Sequence, residues 1–175
     1  MGDLGEIYPI GGAGDRLNLI DPDTEEPLPV AQLEFCGRPL LAGLIRDLQG
    51  REYLHYKLFG KQLSTPIAMM TSYEKNNHER IQRICEDNQW FGRPAANFNI
   101  FVQPLVPVIT QEGNWAMRSQ TKLAMKPGGH GVMWKRALDE GIFDWFKKHN
   151  RTKALVRQIN NPVAGVDNGL LALTG

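Results

Sequence analysis

An α/β fold with a mainly parallel sheet covered by helices on both faces is the class this sequence predicts. Short apolar runs bounded by Gly and Pro alternate with segments of helical periodicity, in the order β, α, β, α, β, extended arm, α, β. Size agrees: 175 residues with 42% apolar side chains and 9% aromatics can close one substantial core but are short for two domains.

Residues 6–10 form an apolar run stopped by Gly11, as expected of a buried strand entering a loop. Residues 11–34 are dominated by Gly, Pro, Asp and Asn and read as one long loop, a length that usually signals binding. From Pro39 to about Phe59, Leu40, Leu41, Leu44, Ile45 and Leu48 recur at helical spacing, with Pro39 suited to a first turn. Residues 65–70 predict a second buried strand. Thr71 and Ser72 are N-cap candidates for a helix that buries Ile81, Ile84 and Cys85. Phe98, Ile100 and Val102 alternate in a third strand, broken by Pro104 and Pro107. An inserted β arm is expected over 104–125, turning at Gln111-Glu112-Gly113-Asn114. Two helical pieces, 132–138 and 142–148, flank Gly141, and 154–159 predicts a last strand.

Composition narrows the function. Twenty Lys and Arg against 19 Asp and Glu give a formal charge of +1, so no global field draws in nucleic acid or an anionic membrane, and phosphate binding must be local. No run approaches the ~20 apolar residues needed to span a bilayer, and the N-terminus lacks signal-peptide regions, so a soluble chain is expected. Cys36 and Cys85 have no metal-spaced partners and read as buried or half-buried free thiols. The Trp and Phe residues, Trp90, Trp115, Trp134, Trp145, Phe91, Phe143 and Phe146, read as core or interdomain packing. With no G-x-S-x-G elbow and no cysteine near a glycine-exposed histidine, covalent catalysis is disfavoured.

Two glycine clusters carry the chemistry. Gly11-Gly12-Ala13-Gly14-Asp15-Arg16 follows the first strand, where main-chain N–H groups can approach a base or phosphate and Arg16 adds positive charge. An ordinary turn with a solvated Asp15–Arg16 pair explains it equally, and it is neither a dinucleotide fingerprint nor a Walker loop. Lys126-Pro127-Gly128-Gly129-His130-Gly131 precedes a helical segment and exposes main chain and His130 together at a helix N-terminus; its alternative is a turn with an exposed histidine. Asn160 and Asn161, with Asp167 and Asn168 beyond, lie after the last strand, where an α/β enzyme holds hydrated Mg2+; before Pro162 they are also ordinary turn formers. Met70-Thr71-Ser72 and Gln103 fall at strand ends on one edge, although helix capping and loop hydrogen bonding would also account for them. His55, His78 and His149 are assigned no chemistry.

In order, PIGGAGDRL, AMMTS, FVQ, KPGGHG and VRQINNPVAGVD resemble the nucleotide-contacting motifs of the UDP-glucose and UDP-N-acetylglucosamine pyrophosphorylases. CGRPLLAGLIRDLQ and KNNHE bring the text closest to the divergent plastid-type UDP-glucose pyrophosphorylases and their bacterial relatives, from about Tyr8 to Leu173. The resemblance implies a GT-A-like, Rossmann-related fold and uridylyl transfer from UTP to a sugar 1-phosphate such as glucose 1-phosphate, with Mg2+ and release of pyrophosphate. It implies Arg16 on the triphosphate as the catalytic cation, and Gly11, Gly12, Gly14, Met70, Gln103, Gly129, His130 and Asn161 around the nucleotide. Asn160 and Asp167 would stand at the metal. Two departures stand out: Gln32 falls where many relatives carry a lysine, and Asn160-Asn161 where they carry Asp-Asn.

The ending LLALTG is apolar, so residues 1–175 are expected to be a single nucleotide-binding domain, an N-terminal fragment of a longer nucleotidyltransferase and inefficient alone. The implied partners are UTP or a UDP-sugar and a sugar 1-phosphate, in the bacterial cytoplasm or a plant plastid stroma. The alternatives are a catalytically impaired uridine-nucleotide-binding module or regulatory subunit, and a structural subdomain whose glycines serve only turns.

Overall fold

Strand β1, Leu4–Pro9, is buried at every position, as a strand covered on both faces must be. The computed structural model describes residues 2–12, 19–21 and 25–161. After β1 the chain makes a short hairpin, β2 (Glu34–Phe35) with β3 (Arg38–Pro39), before helix α1, Leu40–Phe59. The alternation then continues through β4 (Ile67–Thr71), α2 (Asn77–Asp87) and β5 (Phe98–Val102). An arm follows, made of β6 (Leu105–Pro107), β7 (Met117–Ser119), β8 (Lys122–Leu123) and β9 (Met125–Pro127). Helices α3 (Met133–Asp139) and α4 (Ile142–Lys148) lead to β10, Lys153–Val156.

The main sheet has the order β10-β1-β4-β5, with every pairing parallel. Leu4 pairs with Lys153 and Ile7 with Val156, so the last strand lies beside the first, while Glu6–Pro9 pair on the other side with Ile67–Met70. Because successive side chains point to opposite faces, neighbours in sequence feed different cores. Tyr8 and Met69 pack with Leu41, Ile45, Leu48 and Ile81 of α1 and α2. Ile7, Ala68 and Met70 pack with Met133, Ala137, Ile142 and Phe146 of α3 and α4. The sheet is thus covered on both faces, and all four strands point their carboxyl ends the same way.

The predicted fold class holds, and the differences are local. The N-terminal loop contains the bridge Ile20–Pro27 and the β2–β3 hairpin, whose turn places Cys36 and Gly37 at φ of 52° and 74°. That turn leaves Cys36 exposed rather than half-buried; Cys85 is buried as expected. Thr71 and Ser72 do not cap α2: Thr71 ends β4, α2 begins only at Asn77, and the Ser72 N–H donates to Asn77 Oδ1. The last strand, expected over 154–159, spans Lys153–Val156; the Arg157 N–H still donates to Ile7 O at 3.0 Å, and its side chain turns to Asp47 Oδ2, 2.7 Å away. The arm turns where expected, with Thr110 N–H donating to Asn114 O, but it pairs only pieces of itself. Trp115 and Trp134 are 58% and 52% exposed and so are not core; the arm's partial pairing and the outer face of α3 leave them outside both clusters.

Candidate functional site

The carboxyl edge of the sheet carries a cleft of about 220 Å3 lined by Gly11, Gly12, Met70, Glu74, Gln103, Pro127, Gly129 and His130. Its walls are the loops that leave β1, β4 and β5 together with the end of the arm, so the two glycine clusters, far apart in sequence, converge on one space. Another cavity, of about 190 Å3, lies between α1 and the β2–β3 hairpin, and no residue of the glycine loops lines it.

Gln103 is the joint between the clusters. It is 5% exposed; its Nε2 donates to Gly11 O at 3.1 Å, and its Oε1 accepts from Gly129 N–H at 3.0 Å. Both ends of the amide are therefore spent on main chain. Gly11 tolerates no side chain, since a Cβ would lie 2.6 Å from Gln103 Nε2 and 2.7 Å from the Thr71 carbonyl carbon. Gly129, at φ 74° and ψ −169°, occupies a conformation glycine alone adopts without strain, which turns the chain into the 3-10 turn His130–Val132 ahead of α3. Gly12, by contrast, meets nothing within 4 Å. No hydrogen bond among the described residues engages the N–H of Gly11 or Gly12.

Met70 lines the cleft, yet it is 1% exposed and belongs to the core against α3 and α4. Asn160 and Asn161 are exposed and do not line the cleft; they follow β10, on the other side of β1 from β4 and β5. Gly14, Arg16 and Asp167 lie outside the described residues. Sequence reasoning named Pro127 only as part of the second glycine cluster and missed Glu74. Glu74 had one signal, a carboxylate three positions past the end of β4; it is half-buried at the cleft wall.

The described residues do not by themselves make a Mg2+ site, and Asp167 is not among them. Among the described residues no group of three or more His, Cys, Asp or Glu is placed to hold a metal, and Glu74 is the one carboxylate on the cleft. Nor, among those residues, is any helix long and apolar enough to cross a membrane.

An all-parallel, doubly covered sheet with a crevice outside its carboxyl ends defines a Rossmann-related α/β domain of the kind that receives ligands at that edge. The family model described as UTP–glucose-1-phosphate uridylyltransferase matches residues 47–174, and the chain belongs to that family. It is 58% identical over 174 residues to UTP–glucose-1-phosphate uridylyltransferase 3, chloroplastic, of Arabidopsis thaliana, an alignment covering 99% of this chain and 20% of the relative. It is 30% identical over 150 residues to a probable UDP-N-acetylglucosamine pyrophosphorylase of Dictyostelium discoideum, covering 84% of this chain and 30% of the relative. The chain thus spans about a fifth to a third of the length of these relatives.

Solved structures share the fold. The uridine diphosphate N-acetylglucosamine pyrophosphorylase of Trypanosoma brucei superposes with a TM-score of 0.73 at 18% identity, covering 93% of this chain and 33% of that one. A variant UDP-glucose pyrophosphorylase of Leishmania major in complex with UDP-glucose superposes with a TM-score of 0.65 at 17% identity, covering 90% and 30%.

Proposed function

We propose that this chain supplies the nucleotide-receiving part of a UTP–sugar-1-phosphate uridylyltransferase. The observation that carries the reading is the meeting of Gly11, Gly12, Gly129 and His130 in one cleft, braced by Gln103. Exposed main-chain N–H groups suit the carbonyl edge of uracil, and His130 at the mouth of the turn before α3 suits the nucleotide's anionic end.

The reaction needs in-line attack of a sugar-phosphate oxygen on the α-phosphorus of UTP. Pyrophosphate leaves, and no protein atom forms a bond to the substrate. The chain's part is to hold and orient the uridine and to neutralise charge, with Arg16 the proposed cation on the triphosphate. Mg2+, which the resemblance implies with Asn160 and Asp167 beside it, would supply Lewis-acid stabilisation of the developing charge. The chloroplastic relative supports a plastid setting. A second reading, a nucleotide-binding module without turnover, is favoured by Gln32 and Asn160-Asn161 standing where the resemblance implies a lysine and an aspartate.

Calorimetric titration with UTP and UDP-glucose, with and without Mg2+, tests the proposal. Saturable uridine-nucleotide binding that His130→Ala weakens at unchanged Tm is the expected result, and Mg2+-strengthened UTP binding favours the enzyme over the module. No binding of either nucleotide overturns both readings.

A further inference from the structure

Asn77 is absent from the cleft wall, yet it holds the chain that forms it. At the first position of α2 and 1% exposed, its Oδ1 accepts from Ser72 N–H at 3.0 Å and its Nδ2 donates to Ile10 O at 3.2 Å. The next carbonyl along, Gly11 O, is held by Gln103 Nε2, and the Ile10 N–H is fixed on Met70 O at 2.9 Å. Two successive carbonyls of the glycine loop are therefore pinned by two buried amides from different parts of the chain.

In a planar trans peptide the C=O and the following N–H point in opposite directions. Pinning Ile10 O on Asn77 thereby aims the Gly11 N–H away from the buried amide, and pinning Gly11 O on Gln103 does the same for Gly12. We propose that Asn77 is a positioning residue that sets the selectivity of the cleft for uracil over cytosine, acting through the Ile10–Gly11 peptide without touching the ligand. The inference rests on the uridine reading above. Uracil presents a carbonyl at the position where cytosine carries an amino group, so an N–H held in one direction accepts the first and opposes the second. Released from Asn77, the peptide can rotate and offer its carbonyl, which accepts from the cytosine amino group.

The measurement is the ratio of CTP to UTP dissociation constants, taken by calorimetry well below the unfolding midpoint. It is made for the unmodified protein, for Asn77→Ala, and for Asn77→Asp, which keeps the acceptor for Ser72 but repels Ile10 O. The unmodified protein is expected to favour UTP. Each variant should lower the ratio by about tenfold, the scale of one hydrogen bond. A purely structural role would lower the bound fraction of both nucleotides alike and leave the ratio unchanged, which overturns the proposal. An unmodified protein that binds UTP and CTP equally overturns it without any variant, whereas binding neither sinks the uridine reading instead. Should both variants fail to fold, the amide resonance of Gly11 in the unmodified protein decides: it must shift more with UTP than with CTP, and equal shifts or none overturn the inference.

Discussion

The carboxyl edge of the sheet is organised by neutral amides, whereas the interface between β1 and α1 is organised by ions. At the edge, Asn77 and Gln103 spend donors and acceptors on the loops after β1, β4 and β9. Deeper in, Glu6 accepts from Tyr8 Oη and from Arg51 at 2.9 Å, while Arg157 reaches Asp47 at 2.7 Å. Nearby, Arg93 grips Glu52 through two nitrogens at 2.7 and 3.0 Å and donates to Thr65 O at 2.6 Å. An ion pair holds two permanent elements, since each charge always has its partner. An amide supplies a donor and an acceptor with no net charge, so it can shape the edge of a cleft without adding charge to it.

Four measurements can break or sharpen that contrast. Arg93→Ala strands Glu52 in the interior and should cost about 3–5 kcal/mol in urea unfolding, while UTP affinity of the folded fraction stays within about twofold. A loss below about 1 kcal/mol, the scale of a surface pair, would mean the ions are not scaffold.

Gly11→Ala forces a methyl against Gln103 and the Thr71 backbone. It should cost about 1–3 kcal/mol by thermal unfolding and remove UTP binding. Gly12→Ala, with open space around it, should stay within about 0.5 kcal/mol. Equal losses for the two would show that the amide brace does not set the loop.

Glu6 is the test for pH. Burial pushes its carboxyl above the usual value, with Arg51, the Tyr8 hydroxyl and Arg157 pulling it back. The folded protein then holds this proton more tightly than the unfolded chain does. Its contribution to stability is fully present below the unfolded value, 4.5, and is lost as pH rises through the higher folded value. Relative to the parent, Glu6→Gln should gain stability with rising pH across that window in paired urea melts. A gap that moves the other way would mean the Arg51 pairing outweighs burial.

The smallest effect concerns the thiols. Cys36 is exposed on the β2–β3 turn, whereas burial pushes the Cys85 thiol up to about 12. An aromatic disulfide reagent at pH 8 should titrate one thiol in the native protein and the second only after unfolding. Native labelling of both would show that the α2 core opens readily.

The fold was legible because its strands are continuous apolar runs and its helices carry an apolar stripe; Phe98–Val102 and Ile142–Lys148 could be read almost to the residue. The convergence of the glycine loops could be anticipated from the resemblance, which sets Gly11, Gly12, Gly129 and His130 around one nucleotide. Asn77 could not, because its role depends on Ile10, sixty-seven positions away in the chain, and nothing in local sequence separates a buried amide from a solvated one. Thr71 misled as a cap for the same reason: its hydroxyl bonds across the sheet to Phe101 O and to His78, contacts that exist only after folding. The buried ions were equally silent, since the partner that offsets the burial of Glu6, Arg51, lies forty-five positions away in the chain.

The pairing of Leu4 with Lys153 governs the order of events during synthesis. Within this sheet β1 is made before β10, so one row of its hydrogen-bonding groups stays unmatched until Lys153–Val156 follow. A chain cut before Lys153 would keep that row open as an edge, ready to pair with a neighbouring molecule.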